Sequence, residues 1–427
     1  MSTAALTLRG IRAPRAGARI AIEAARRERV ALAATATAVA LLPLAVPQGP
    51  GNVAPIDLLV VMAVLAAMLW AATSGMPWRF PFAVPVALAI VGGAIGALFG
   101  PAPGLGAIAL VQDILLVAWC WSVANVAHSA RNLRIILAAW TYSAIGWALL
   151  AFVGMATGTQ VLTGQVEKQG TRLQLTLADP SYTANYFFVS MMVMWATRRP
   201  RRRLVRYGAY AALLSAIVAT GSNSGMVAVA VGFAVAAGLG TYRRFGLLAA
   251  VATLACAVVF AGVAASTVSL SSIQASAHDS RWSFVRQGIG RSSDSAGQRE
   301  SLVRESVRLY TIGNPLGEGP VSTKPRLRAE MAPLVKEAHD DYLAALIERG
   351  PLGLVGILVL VSSLLLRGVH VATRLPAGLG AVLPRPNALV GAMAGTLVGG
   401  TVYELLHVRH VWALFALVAA ASMWRDG

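Results

Sequence analysis

Runs of roughly 17–25 apolar residues, the length that carries an α-helix across hydrocarbon, recur along almost the whole chain. Twelve can be counted, at 30–47, 55–73, 81–99, 106–127, 133–154, 181–197, 204–219, 222–240, 246–268, 351–366, 388–404 and 410–424. A bilayer offers no water to backbone N–H and C=O groups, so segments of this kind satisfy them internally as helices. An all-α polytopic membrane protein of about twelve transmembrane helices is the expectation. Charge content agrees: 13% of residues are charged, where a soluble domain has about a quarter.

The net charge of +18 does not point to nucleic acid, because the basic residues fall in short clusters between apolar runs, as orientation determinants do. Arg9 to Arg29, Arg79, Arg131 with Arg134, Arg198 to Arg203, Arg243-Arg244, the Arg367, Arg374 and Arg385 group, and Arg425 share one side when spans alternate. By the positive-inside rule that side is the cytoplasm, and both termini face it. The basic N-terminus before Val30 is too long for a signal peptide, so a retained first span is expected. Cys120 and Cys256 lie within apolar runs and give no case for a disulfide or metal site. The expected organisation is a basic cytoplasmic N-terminus (1–29), spans one to nine (30–268), an external loop (269–350) and spans ten to twelve (351–427).

That external loop is far longer than a connector needs to be, and loops of such length are usually functional or disordered. From Gly297 to Ile312, Leu302, Val303, Val307, Leu309 and Tyr310 recur at helical spacing, with Arg299, Arg304 and Arg308 on other faces. The run Gly313-Asn314-Pro315-Leu316-Gly317-Glu318-Gly319-Pro320 breaks this helix. A second amphipathic helix, about Val335 to Arg349, is expected to carry His339. The two helices would form a cap on the membrane surface.

Gly297-Gln298-Arg299, the 314–320 turn, and Ala338-His339-Asp340-Asp341-Tyr342-Leu343 with Glu348, Gly350 and Gly353 resemble the large external loop of the O-antigen ligase and polymerase family. Arg172 with Leu177-Ala178-Asp179-Pro180-Ser181-Tyr182, and Arg409-His410-Val411-Trp412, extend the likeness. The resemblance implies a GT-C-like fold in the bacterial cytoplasmic (inner) membrane. It also implies transfer of a glycan from an undecaprenyl-diphosphate carrier to a glycan or glycolipid acceptor on the outer face. Two departures stand out. His339-Asp340 replaces a frequent His-Asn, and Ser222-Asn223 stands where many members carry Ser-Arg, an arginine thought to hold diphosphate.

In such a reaction a sugar hydroxyl attacks the anomeric carbon, and a base must take its proton. His339 suits this, because an imidazole of ordinary pKa, about 6.5, is mostly neutral at neutral pH. The departing diphosphate gains charge that an arginine fork can bind. Arg299 is the first candidate and Arg172 the second, with Arg281, Arg286 and Arg291 as further possibilities. Asp340 or Asp341 would orient the imidazole, and Tyr342 is a candidate substrate contact, although with Leu343 it reads more readily as packing the helix onto span ten. No metal cluster or cofactor is expected. Asp113 lies inside a span, where a carboxylate costs about 2.5–3.5 kcal/mol at the helix centre and so usually faces a cavity. With Asp57, Asn185, Asn223 and Glu404 it would outline an externally open polar cavity beneath the cap.

A transporter or flippase of lipid-linked glycan is the alternative with similar spans. It would show internal repeats with broken helices, and no convincing repeat relates 30–219 to 222–424. Polymerase and ligase share a donor and differ in acceptor, so the sequence leaves both open.

Overall fold

The computed structural model describes residues 16–46, 53–163, 172–177, 179–267, 275–276, 278–281, 294–331 and 338–424. Its principal helices are α1 (Ala16–Ala40), α2 (Pro55–Ser74), α3 (Ala83–Phe99), α4 (Pro103–Val126), α5 (Ala130–Thr157), α6 (Pro180–Thr197), α7 (Arg203–Thr220), α8 (Asn223–Phe245), α9 (Leu247–Thr267), α10 (Asp294–Ile312), α11 (Thr323–Ala329), α12 (Asp341–Thr373), α13 (Asn387–Gly399) and α14 (Arg409–Ser422). Among the described residues, α2, α4, α5, α8 and α12 are long and apolar enough to cross a membrane, and shorter apolar helices accompany them. The protein is a polytopic membrane protein whose regular structure, among the described residues, is all helical.

Each helix buries the face its sequence allows. In α2, Ile56, Val60, Ala63, Ala67 and Trp70 are buried, while Leu58, Met62, Leu65 and Leu69 are exposed at the same spacing on the other side. Both faces are apolar, as expected where one meets protein and the other lipid. By contrast α6 and α14 are buried almost all round, including Tyr186, Phe187, Phe188 and Phe415, and form the centre of the bundle. Between helices in lipid, close packing of small residues replaces the hydrophobic effect. One such contact joins α3 to α12, where a Cβ on Gly92 would meet Gly353 N at 2.6 Å, and a closer one joins α13 to α8, where a Cβ on Gly391 would meet Gly232 O at 2.3 Å.

α12 is two helices joined at a kink. Gly350 has φ 64 and ψ −174 and is followed by Pro351, so residues 341–349 belong to the cap and the span begins beyond them. The 313–320 turn docks on the kink. Glu318 N donates to Ile347 O and Gly319 N to Glu348 O, both at 2.9 Å. These bonds satisfy carbonyls that the end of a helix leaves open. A side chain at Gly350 would strike Leu316 O at 2.5 Å.

The cap differs from expectation in two respects. Its described part holds three helical segments, α10, α11 and 341–349, where two amphipathic helices were expected. His339 precedes the last helix and is not on it: Asp340 is the N-cap, its Oδ1 accepting from Tyr342 N (2.8 Å) and Leu343 N (2.9 Å), and His339 itself has φ 53. The helix start expected at Val335 lies outside the described residues.

The span expected at 388–404 also ends early. α13 stops at Gly399, and the connector to α14 folds back irregularly. Asp341 holds it there, donating its N–H to Gly400 O (2.8 Å) and accepting from Leu405 N and Leu406 N on its carboxylate. At 1.5 Å per residue, α13 is about 20 Å long, short of hydrocarbon thickness. Irregular backbone near membrane depth is tolerated where it is packed in protein or lines a cavity.

Candidate functional site

A cavity of about 930 Å³ opens where α2, α3 and α4 meet the cap and the 400–408 connector. Its charged and polar lining includes Asp57, Asp113, Asp179, Lys324, Glu348, Arg349, Glu404 and Arg409. Tyr182, Tyr403, His407 and Trp412 supply aromatic surface.

Two of the expected intramembrane carboxylates find cations here. Asp113 forms an ion pair with Arg349, Oδ2 to Nη2 at 2.8 Å. Asp57 takes Arg409 in a fork, Nε to Oδ1 at 2.8 Å and Nη2 to Oδ2 at 2.7 Å, and accepts Ala54 N as well. Glu348 secures the start of α11, accepting from Thr323 Oγ1 (2.7 Å) and Val321 N (2.9 Å). Burial pushes the Glu348 carboxyl above its ordinary range, against the pull of those donors.

His339 stands at the edge of this lining. Its ring stacks on Tyr403, centroids 5.0 Å apart, and the His339 backbone N–H donates to Glu404 Oε1 at 3.1 Å. Tyr182 meets Tyr403 edge-on (5.1 Å) and bonds His407 Nε2 through its hydroxyl at 2.7 Å. His407 is exposed to the cavity; desolvation by the protein crowded around it, then Arg409 and Arg349, push its imidazole down to about 4. It is neutral at pH 7 and a weak base.

The remaining expected residues are placed as follows. Arg299 is on α10, with its side chain outside what is described. Arg286 and Arg291 lie outside the described residues, and Arg281 is exposed and away from the cavity lining. Arg172 is buried and donates Nε to Thr220 O (2.8 Å) and Nη2 to Gly221 O (3.2 Å). Its guanidinium therefore lies at the hairpin that leads into Asn223. Asp340 caps 341–349, and burial raises its carboxyl above the ordinary range. Tyr342 donates its hydroxyl to Leu397 O at 3.2 Å and packs the cap onto α13. Asn185 is not on the cavity wall: it is buried between His410 (2.9 Å) and Thr396 (3.2 Å). Asn223 is exposed at the start of α8.

Sequence reasoning gave no site role to Lys324, Arg349, Tyr403, His407 or Arg409. The signal for the two arginines was present: ionisable residues inside spans require partners, and Arg349 and Arg409 stand at span beginnings beside Glu348 and His410. Among the described residues, no group of three or more His, Cys, Asp or Glu is arranged to hold a metal ion.

Residues 208–358 match the family model described as O-antigen ligase. The matched stretch runs from α7 through the cap to the kinked α12, and so contains His339, Lys324 and Arg349. Asp57, Asp113, Tyr182, His407 and Arg409 complete the cavity from outside it. No curated protein matches the chain.

Proposed function

We propose that this membrane protein, whose residues 208–358 match the O-antigen ligase family model, transfers a glycan from a lipid diphosphate to an acceptor hydroxyl. The carrier is undecaprenyl diphosphate, and the cap lies on the outer face of the cytoplasmic membrane with both termini inside. The observation that carries the reading is the cavity itself. It is polar where Asp113, Lys324, Arg349 and Arg409 converge, and the family-matched cap closes one of its sides.

The cavity also has an apolar mouth. Leu58 of α2 and Leu105 and Val111 of α4 line it and are 64%, 50% and 66% exposed. A substrate with a diphosphate head and a polyprenyl tail needs this combination of polar interior and lipid-facing opening.

In the proposed reaction the acceptor oxygen forms a bond to the anomeric carbon as the bond from that carbon to the phosphate oxygen breaks. His339 accepts the hydroxyl proton, and the diphosphate leaves with the electron pair. Arg299 offsets the developing charge, joined by cations of the lining. The test is turnover in membranes containing matched amounts of protein and lipid-linked donor. His339→Ala should lower it by roughly a hundredfold to ten-thousandfold, with donor accumulating. Normal product from His339→Ala would overturn the general-base assignment and return weight to a lipid-linked glycan transporter.

A further inference from the structure

The cavity lining is not uniform in chemistry. Lys324 and Arg349 come from the cap, whereas the aromatic residues come from the start of α6 (Tyr182) and from the connector before α14 (Tyr403, His407). The aromatic group is a built assembly. Tyr182 crosses Tyr403 at 68° and His407 at 84°, its hydroxyl bonds His407 at 2.7 Å, and Tyr403 carries His339 stacked at 28°. Two carboxylates flank it: Glu404, which accepts from His339 N, and Asp179, which caps α6 through Ser181 N at 2.6 Å.

Arg409 and Arg349 also act on His407, but each is paired with a carboxylate, Asp57 and Asp113, so a diphosphate would meet Glu404 and Asp179 on this wall as like charge, which disfavours it. A pyranose fits better. Its C–H face is apolar and lies against an aromatic ring, while its hydroxyls donate to carboxylates and exchange bonds with a phenol or a neutral imidazole. We propose that Tyr182, Tyr403, Glu404 and His407 form the subsite for the acceptor's attacking sugar, beside His339. The same carboxylates make it select an uncharged or amine-bearing sugar over a uronic acid. This rests on the glycan-transfer reading and extends it to the acceptor. It also divides the cavity: phosphate at the cations from the cap, saccharide at the connector.

The test measures binding without turnover, on the full-length protein in nanodiscs. Saturation-transfer NMR is recorded with methyl glucoside, methyl galactoside, N-acetylglucosamine, glucosamine and methyl glucuronide. The expected result is signal from at least one neutral or amino sugar and none from the glucuronide. Tyr182→Leu and Tyr403→Leu should weaken binding roughly tenfold, and Glu404→Gln should admit the glucuronide. Melting curves of each variant establish that it is folded, and Tyr182→Phe, which keeps the ring, should bind better than Tyr182→Leu. No signal from any sugar, equal signal from the folded leucine variants, or glucuronide binding by the unaltered protein would each overturn the subsite. Failure of the glycan-transfer reading appears elsewhere, in the turnover of His339→Ala.

Discussion

Asp57 and Arg409 are joined in a two-pronged hydrogen-bonded pair although 352 positions separate them in the chain. The pair fastens the start of α2 to the start of α14, and its partners are mostly buried. Removing one side of such a pair commonly costs about 3–5 kcal/mol, because the other charge is left without compensation. Asp57→Ala should therefore lower the melting temperature in detergent markedly. The double variant Asp57→Ala with Arg409→Leu should recover part of the loss. A double variant no better than the single one would show that the charge left behind is not the cause.

Arg299 and Arg172 should separate by what they damage. Arg299→Ala is expected to lower turnover by about a hundredfold to a thousandfold, with lysine rescuing poorly because it lacks the planar fork. Arg172 is bound to the carbonyls that end α7, so Arg172→Ala should cost stability, about 1.5–3 kcal/mol per charged hydrogen bond lost. Melting curves and donor consumption on the same preparations decide. A stable but inactive Arg172→Ala would make that arginine a substrate ligand instead.

Asp341 gives a pH dependence with a definite sign. Burial pushes its carboxyl up to about 7 from an ordinary 3.8, opposed by the N–H groups of Leu406 and Leu405. The folded protein therefore holds this proton where the unfolded chain has released it. The contribution is full below about pH 4, falls as pH rises towards 7, and is level above that. Asp341→Asn should fold and should flatten this part of the profile. Thermal unfolding in detergent across the range reads it; an unchanged slope in the variant would place the titrating group elsewhere.

Sidedness can be read with single cysteines. Cys120 is buried and Cys256 exposed, so the background carries Cys256→Ser. In intact cells Arg281→Cys should react with a membrane-impermeant maleimide, and Arg202→Cys only after permeabilisation. The reverse pattern would put the cap in the cytoplasm and remove the proposed chemistry from the outer face.

The helices were legible because bilayer helices are specified locally, by length and apolarity, as in α2 and α4. The 313–320 turn was legible for the same reason: its glycines and prolines act on their own backbone. The pairings were not. That Asp113 needs a cation follows from its position, but choosing Arg349 depends on the tilt and approach of α4 and α12, which short-range pattern does not encode. The early end of α13 was hidden because Thr401 to Leu406 remain largely compatible with a span by composition, and the Asp341 bonds that draw the connector inward come from a distant segment. His339 was expected on a helix, but its place before the helix turns on the cap formed by Asp340, where the sequence permitted a longer helix.

The connector between α13 and α14 joins a cavity-facing surface to a rigid scaffold. It contributes Tyr403, Glu404 and His407 to the cavity, yet it belongs to no helix whose register must be kept, and both its ends are anchored by helices buried in the bundle. Substitution of Tyr403, Glu404 or His407 would redraw the cavity surface, while Gly400, Leu405 and Val408, packed against Asp341 and the core, hold the connector in place. On the proposed reading, Tyr403, Glu404 and His407 would act as an exchangeable surface. Transplanting it between related chains is the smallest alteration by which one scaffold would acquire another's choice of acceptor.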